Sequence, residues 1–304
     1  MFTEKRIMHK AARLGIVVFA IASLPVFILG QKPAQAPEPA LLYRISGKGV
    51  TKPSYIFGTI HLACPQEMLP LVKIEALIAE SDRLVLEVDM DDPAEIAAMT
   101  RAIILPGGKS FRDALTPEQF AKVNEYLLAT VGFSAEMVQT ISPIALQVLI
   151  LGSPKISGCP KPTSYEESLK NIAHAAKKPV EGLETAAFQS EVLGKIPVEV
   201  QAKMLYEMSV APEKTIEQYR ELKAAYNAQD SDLLYKVVSK QVESGSDMKG
   251  VLLDERNTAW VPRVEAIMKE KGSFIAVGGG HLGGETGLIT RLRALGYTVE
   301  PIKL

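Results

Sequence analysis

Two histidines follow short glycine-containing segments at the ends of apolar stretches. His61 closes the segment Gly58–His61 (GTIH) after SYIF, and His281 closes Gly278–His281 (GGGH) after SFIAV. An imidazole can transfer protons near neutral pH or bind a metal ion. Because catalytic groups of α/β proteins gather at the carboxyl ends of strands, the matched spacing predicts that both histidines share one site. A third histidine, His174 in KNIAHAAKKP, is expected on a helix surface.

Carboxylates supply candidate partners for the two histidines. Glu87 and Asp89 lie two residues apart in the segment RLVLEVD, so a strand there would place them on one face. A carboxylate in an apolar strand is costly unless it is paired or binds a metal, which makes Glu87 the sharper candidate. His61, His281 and Glu87 form an acceptable ligand set for Mn²⁺, Co²⁺ or Zn²⁺, and such an ion could activate water for hydrolysis. A metal-free alternative uses His61 as the general base with Glu87.

The glycines around His281 also match a dinucleotide-binding fingerprint. Gly278-x-Gly280-x-x-Gly283 follows a predicted strand and precedes a predicted helix, and Glu300 lies 22 residues after Gly278. Only four residues follow Glu300, which leaves no room here for the second part of a Rossmann half. A histidine inside the loop also competes with pyrophosphate packing, so we do not expect a nicotinamide cofactor.

The predicted strands lie near the two ends of the sequence, with a long helical region between them. Aromatic and β-branched residues predict a hairpin over 40–64, and apolar runs predict strands at 83–89, 179–183, 273–277 and 297–302. Helical patterns cover 69–81, 165–177, 284–295 and most of the region from about 93 to 270. We therefore expect an α/β (mixed α+β) fold, with a central mixed β-sheet built from both ends of the mature chain and flanked by many helices.

Composition excludes several classes of protein. The chain has 304 residues, of which 47% are hydrophobic and 23% charged, so a disordered or low-complexity chain is excluded. The formal net charge of −1 gives no electrostatic argument for nucleic-acid binding. Cys64 and Cys159 are the two cysteines of the sequence. In an oxidising compartment they would most simply form one disulfide, and two free thiols are the alternative.

The first 36 residues have the composition of a secretory signal peptide. Four basic residues lie among residues 1–13, residues 14–29 are uncharged and apolar, and Ala34-Gln35-Ala36 is a small-residue cleavage signature. Pro37 disfavours cleavage there, so an uncleaved inner-membrane anchor through residues 14–29 is the alternative. The predicted organisation is a signal peptide or anchor at 1–36 and a single domain at 37–304, exported to the periplasm or cell envelope.

The ordered motifs of the sequence resemble those of the TraB/GumN family, which includes the Tiki metalloproteases. The matching strings are YIFGTIHLA, LVLEVDM, SYEESL, PVEGLETAAFQ, LLDERNTAW and FIAVGGGHLGGETGLITRLRALGYTVEPI, which together span about residues 42–302. The resemblance implies a fold similar to that of erythromycin esterases, in which a central sheet is flanked by helices. It also implies that the two histidines converge with glutamates.

The same resemblance implies roles for particular residues. Tiki members are described as Mn²⁺- or Co²⁺-dependent membrane-tethered proteases, which implies a divalent metal with Mn²⁺ or Co²⁺ favoured over Zn²⁺. Arg256 would stabilise an oxyanion. A helix cap at Glu184 and an ion pair of Arg256 with Glu255 or a sheet-end carboxylate are the structural alternatives. The implied metal ligands are His61, His281, Glu87 and Glu166, and the implied catalytic residues are Glu87, His61, His281, Arg256 and Glu184.

The expected function is therefore an exported metal-dependent hydrolase that acts on peptides or proteins. The alternative is a non-catalytic periplasmic protein that binds a ligand or assists polysaccharide export or peptide-signal control. Stoichiometric, tightly bound metal would favour the hydrolase. A deep apolar groove without metal would favour the binding protein.

Overall fold

A mixed β-sheet of six strands lies at the centre of residues 39–242 and 248–304, the part of the chain that the structure, a computed structural model, describes. Strands β4, β3, β5 and β2 are parallel, whereas β1 is antiparallel to both β2 and β6. The spatial order is β4-β3-β5-β2-β1-β6. In chain order the strands are β1 (Leu42–Ser46), β2 (Ser54–Thr59), β3 (Arg83–Leu86), β4 (Val180–Gly182), β5 (Ser273–Gly278) and β6 (Thr298–Ile302).

The parallel register brings the carboxyl ends of four strands to one edge of the sheet. Thr59 at the end of β2 pairs with Gly278 at the end of β5. Leu86 at the end of β3 pairs with Gly182 at the end of β4. Residues that follow these four strands therefore leave the sheet close to one another, as the spacing of the two histidines predicts.

Helices cover both faces of the sheet and form the long middle of the chain. Five of them begin with a proline, whose fixed φ suits the first helical position. The helices are α1 (Val72–Glu80), α2 (Pro93–Ala102), α3 (Pro117–Val131), α4 (Ala135–Val138), α5 (Pro143–Gly152), α6 (Pro154–Ser157), α7 (Tyr165–Ala175), α8 (Ala186–Gly194), α9 (Val198–Val210), α10 (Pro212–Asn227), α11 (Ser231–Val242), α12 (Glu255–Glu270) and α13 (Leu288–Ala294).

Alternate residues of each strand point into two separate apolar clusters, one on each face of the sheet. Trp260 and Val264 of α12 pack with Ile275 of β5 on one face. Tyr165 of α7 packs with Phe57 of β2 on the other. A third cluster lies within the helical middle and contains Phe111, Phe120, Val123, Leu146, Ile150 and Leu205. The predicted fold class, a central mixed sheet flanked by many helices, is confirmed.

Two element boundaries and the origin of one strand of the sheet differ from the prediction. Strand β3 ends at Leu86, so Glu87 and Asp89 follow the strand and are not two members of one strand face. Helix α13 begins at Leu288 instead of Gly284, because Gly284 has a φ of 76°, which a right-handed helix does not allow. Strand β4 comes from the middle of the chain and adds the outer strand to a sheet otherwise built from its two ends.

The two cysteines form a disulfide, which confirms the predicted pairing. The Cα atoms of Cys64 and Cys159 are 5.6 Å apart. Ala63 and Thr163 form an isolated antiparallel bridge beside it, with reciprocal main-chain hydrogen bonds of 2.9 and 2.8 Å.

Among the described residues no helix combines the length and apolar character needed to cross a membrane. The predicted signal segment 1–36, with its apolar run 14–29, lies outside the described residues.

Candidate functional site

Four of the predicted site residues lie just after the carboxyl ends of the four parallel strands. His61 lies two residues after β2 and His281 three residues after β5, while Glu87 directly follows β3 and Glu184 lies two residues after β4. Gly58 allows the loops after β2 and β5 to approach each other, since a Cβ there would lie 2.9 Å from the Cα of Gly279. The sheet topology thus explains why residues far apart in sequence share one edge.

A buried guanidinium links three of these residues. Nη2 of Arg256 donates to Glu87 Oε2 and to Glu184 Oε1, each at 2.5 Å. Nη1 of Arg256 lies 3.1 Å from Nε2 of His281. The side chains of Arg256 and Glu184 are only 10% and 3% exposed, so this charge is compensated inside the protein. The prediction that Arg256 could pair with a sheet-end carboxylate is confirmed, and Glu255 pairs with Lys195 instead.

The two carboxylates around Arg256 have different surroundings. Glu87 Oε1 accepts the main-chain N–H of Gly278 at 2.7 Å, and Glu184 Oε2 accepts the indole N–H of Trp260 at 2.7 Å. Burial is the largest influence on Glu87 and opposes its ionisation, but the charge of Arg256 together with His281, His61 and the main-chain N–H of Gly278 outweighs it and holds the pKa of Glu87 below its usual range. Burial dominates at Glu184 and raises its pKa. The pair is therefore unequal, with Glu87 the more firmly ionised member.

His281 is held in one orientation by three neighbours. Its Nδ1 lies 2.8 Å from Oδ1 of Asn257, whose Nδ2 donates to the main-chain oxygens of His281 and Thr286. Nδ1 therefore carries the proton, and Nε2 accepts from Arg256. The imidazole packs on the indole of Trp260, with ring centroids 4.4 Å apart. Burial and the nearby Arg256 charge lower the pKa of His281 to about 3, so the ring is neutral.

His61 belongs to a second, more open part of the edge. Its Nδ1 lies 3.4 Å from Glu166 Oε1, which also accepts from the hydroxyl of Thr59 at 2.9 Å. The hydrogen bond with Glu166 raises the pKa of His61 above its usual value. The His61 side chain is 67% exposed, which leaves Nε2 available to water or a ligand. Glu166 sits in the first turn of α7, and Ser164 at the N-cap donates to its Oε2.

A widened helical turn leads into the helix that carries Arg256. Gly250–Asp254 is a π-helix, and such turns recur near functional sites. Asp254 accepts from Lys249 at 2.7 Å and from Thr286 at 2.6 Å. These bonds connect the start of α12 to the loop after His281, so the turn helps to fix Arg256 against its partners.

The four predicted metal ligands do not meet as one group. Within the described residues no cluster of three or more His, Cys, Asp or Glu side chains could hold a metal ion. Glu87 is engaged by Arg256 and Gly278, and the free nitrogen of His281 faces Arg256. Only His61 and Glu166 lie side by side. A guanidinium occupies the place among the carboxylates that a cation would need, so the donor set as arranged does not fit a divalent metal ion.

Comparison with known families identifies the chain's relatives. The model of the TraB/PrgY/gumN family matches residues 41–301. The chain belongs to this family. The matched span contains every predicted site residue and ends within β6, so the family and the fold account for the same part of the sequence.

Two curated relatives of this TraB/PrgY/gumN protein carry the name Metalloprotease TIKI1. The one from Danio rerio is 32% identical over 77 residues, which cover 25% of this chain and 15% of that protein. The one from Homo sapiens is 24% identical over an alignment of 329 positions, which covers 88% of this chain and 63% of that protein. The chain thus spans less than two thirds of each relative. No solved structure matches the chain.

Three residues that contact the site were not predicted as site residues. Asn257 fixes His281, Trp260 contacts both Glu184 and His281, and Gln189 donates to Glu184 at 3.2 Å. Trp260 is the one tryptophan of the sequence and lies one helical turn after Arg256, a spacing that could have indicated a shared face.

His174, expected at the surface, is exposed and pairs with Asp91. Thr185 is the N-cap of α8, so the capping role considered for Glu184 is wrong.

Proposed function

We propose that this protein is an exported hydrolase that cleaves peptide bonds at the carboxyl edge of its parallel strands. The observation that carries the proposal is the convergence of Glu87, Glu184 and His281 on the buried Arg256, at the same sheet edge as the exposed His61. Buried charges of this kind are costly in a core and are typical of active sites. The distant likeness to proteins named metalloprotease supports a peptide or protein substrate.

In the proposed reaction water attacks the scissile carbonyl, and the deprotonated form of the exposed His61 takes the proton of that water and passes it to the leaving amide nitrogen. Because Glu166 raises the pKa of His61, the fraction of this form increases with pH. Glu166 would orient its ring through Nδ1, which leaves Nε2 to face the substrate. Arg256, fixed by Glu87 and Glu184, would supply positive charge toward the developing oxyanion. His281 and Asn257 would hold the guanidinium in place. General acid–base transfer of this type contributes about 10²–10⁴ in rate.

A metal-dependent form of the same activity is the second candidate, favoured by the name of the relatives. Mn²⁺, Co²⁺ or Zn²⁺ bound by His61, His281, Glu87 and Glu166 would require Arg256 to release Glu87 and His281. A divalent ion carries two positive charges where the guanidinium carries one, so its binding needs a rearrangement of the buried ion pairs. Metal dependence is therefore a separate question from hydrolysis.

The test measures peptide cleavage by the purified full-length chain in mild detergent. A mixture of unstructured peptides is incubated with protein, and the products are identified by mass spectrometry. We expect His61→Ala and His281→Ala to lower cleavage by at least about 100-fold. The matched control is His174→Ala, an exposed histidine whose side chain pairs with Asp91, and this variant should keep full activity.

Metal dependence is tested on the same preparation. Activity that survives exhaustive chelation, with no stoichiometric metal by elemental analysis, would support the metal-free route. Activity that disappears and returns with Mn²⁺, Co²⁺ or Zn²⁺ would establish the metal-dependent candidate. Equal cleavage by the wild type and both site variants would contradict the proposed hydrolase. The alternative of a non-catalytic binding protein would then be favoured.

Export is proposed on the sequence of residues 1–36 and on the disulfide. Disulfides persist in oxidising compartments, so the Cys64–Cys159 bond supports a periplasmic or cell-envelope location. Residues 37–304 would then act as a single domain. The apolar run 14–29 would serve as the signal sequence or as a tether to the inner membrane.

A further inference from the structure

An apolar groove lies between α2, α5 and α8. It has a volume of about 1300 Å³. Small-molecule pockets typically measure about 300–1,000 Å³, so the groove is large enough for an extended ligand. Aliphatic side chains dominate its lining, which contains no aromatic residue. They include Met99, Ile103, Ile104, Val148, Leu149 and Leu193.

Several of these aliphatic side chains are exposed to water. Ile104 is 47% exposed, Val148 is 42% exposed and Leu149 is 51% exposed. Helix α5, with the sequence PIALQVLILG, carries a single polar side chain and so presents an apolar surface on the groove side as well as in the core. Contiguous exposed apolar surface of this kind marks a binding site in a soluble domain.

The groove offers few polar groups to a ligand. The main chain at Ile103 and Leu105 is already bonded to residues 140 and 142, at 2.7 Å each. Ser142 donates to Gln201, and Gln201 donates to the main-chain oxygen of Ile196. A peptide lying there would leave its own N–H and C=O groups unpaired, which is costly. A hydrocarbon chain has no such groups.

The charges in the lining indicate the ligand's polar end. Arg101 and Lys109 are exposed, and among the described residues neither has an ion-pair partner, while Glu199 is the one acidic residue in the lining. An anionic group would pair with the two cations. The lining also includes Gln189, which donates to Glu184, so the groove adjoins the candidate site.

We propose that the apolar groove binds a free long-chain fatty acid, with its hydrocarbon chain against α2, α5 and α8 and its carboxylate beside Arg101 and Lys109. The volume, the aliphatic lining and the scarcity of polar partners favour a hydrocarbon chain, and the two cations favour an anionic head group. Binding needs no turnover, so the proposal stands or falls independently of the proposed hydrolase.

A photoreactive fatty acid tests the location directly. The full-length protein is mixed with a long-chain fatty acid that carries a diazirine near the middle of its chain, irradiated, and digested for mass spectrometry. We expect labels on the peptides that contain residues 96–106, 141–149 or 186–198. Unlabelled tetradecanoate should compete better than dodecanoate, and dodecanoate better than decanoate, by roughly tenfold for each two carbons.

Three surface variants make the test specific. Val148→Asp places a charge in the groove and should reduce labelling at least about tenfold. The matched control Met137→Asp changes a side chain that is 72% exposed outside the groove and should leave labelling unchanged. The double variant Arg101→Gln/Lys109→Gln should weaken competition by the acid severalfold but not by its methyl ester.

Three results would overturn the proposal. Labels confined to residues 1–38 would mean that the probe binds the N-terminal apolar run. Equal loss of labelling in Val148→Asp and Met137→Asp would mean that the groove is not the binding site. More effective competition by an unlabelled aliphatic peptide than by tetradecanoate would assign the groove to peptides instead. Thermal unfolding of both variants at the wild-type temperature excludes misfolding as the cause of lost labelling.

Discussion

At the scale of single residues, Arg256 is the side chain on which the site depends. It is largely buried, and it bonds two carboxylates and a neutral imidazole. Its guanidinium carbon also lies 4.5 Å from the centroid of the Trp260 ring, within the range of a cation–π contact. Desolvation disfavours its charge, but Glu87 and Glu184 more than compensate and raise the pKa of Arg256. Removing the cation would leave two carboxylates facing each other.

The first prediction concerns the stability of this buried network. Arg256→Gln should lower the free energy of unfolding by about 3–5 kcal/mol, because it leaves buried acids without their counter-charge. Arg263→Gln is the matched control on the same helix, since Arg263 is exposed and its side chain donates to the main-chain oxygen of Gly182. Its cost should be below about 1 kcal/mol in the same urea titration. Similar losses in the two variants would show that Arg256 is not a buried structural cation.

The second prediction concerns the proton on His281. The contacts with Asn257 and Arg256 require the Nδ1–H tautomer. In protein labelled with ¹⁵N at its histidine nitrogens, two-bond ¹⁵N–¹H spectra should show one histidine locked in that form. Its signals should be absent from His281→Ala. An Nε2–H tautomer for this residue would contradict the proposed hydrogen-bond order and the role of Asn257.

At the scale of elements, the loop after β2 is tied to the start of α7 by a covalent bond and a short bridge. The disulfide joins Cys64 to Cys159, and Ala63 pairs with Thr163. His61 lies three residues before Cys64, and Glu166 lies three residues after Thr163. The two partners of the open part of the site are thus carried by segments that the disulfide holds together.

The third prediction follows from that connection. The double variant Cys64→Ser/Cys159→Ser should lower the free energy of unfolding by about 2–4 kcal/mol, because the unfolded chain loses a constraint that closes a long loop. It should also lower any His61-dependent peptide cleavage. Reduction of the wild type with dithiothreitol should reproduce both effects and should leave the double variant unchanged. Full activity and stability in the variant would mean that the loop is positioned without the disulfide.

At the scale of the whole molecule, the sheet and its site edge could be predicted because they follow from local signals. Apolar strands flanked by glycine indicated where β2 and β5 end, and the parallel order then brought His61 and His281 to one edge. The ion-pair network could not be predicted in the same way. Glu87 pairs with Arg256 across the contact between the end of β3 and α12, and the sequence of Gly250–Asp254 carries no pattern that distinguishes the π-helical turn before α12 from an ordinary α-helix.

The last prediction joins the N-terminal segment to the chemistry of the domain. If residues 1–36 direct export, the full-length chain expressed in bacteria should reach an oxidising compartment and form the Cys64–Cys159 bond. Its cysteines should then resist a maleimide reagent applied to denatured, unreduced lysate. A chain that starts at residue 37 should stay among cytosolic thiols and react at both positions. Cys159→Ser in the full-length chain is the control, because its unpaired Cys64 must react wherever the protein resides. Export would be contradicted if both cysteines of the full-length wild type reacted as strongly as those of the shortened chain. Both chains contain the residues that position the two cysteines, so only the redox environment differs between them.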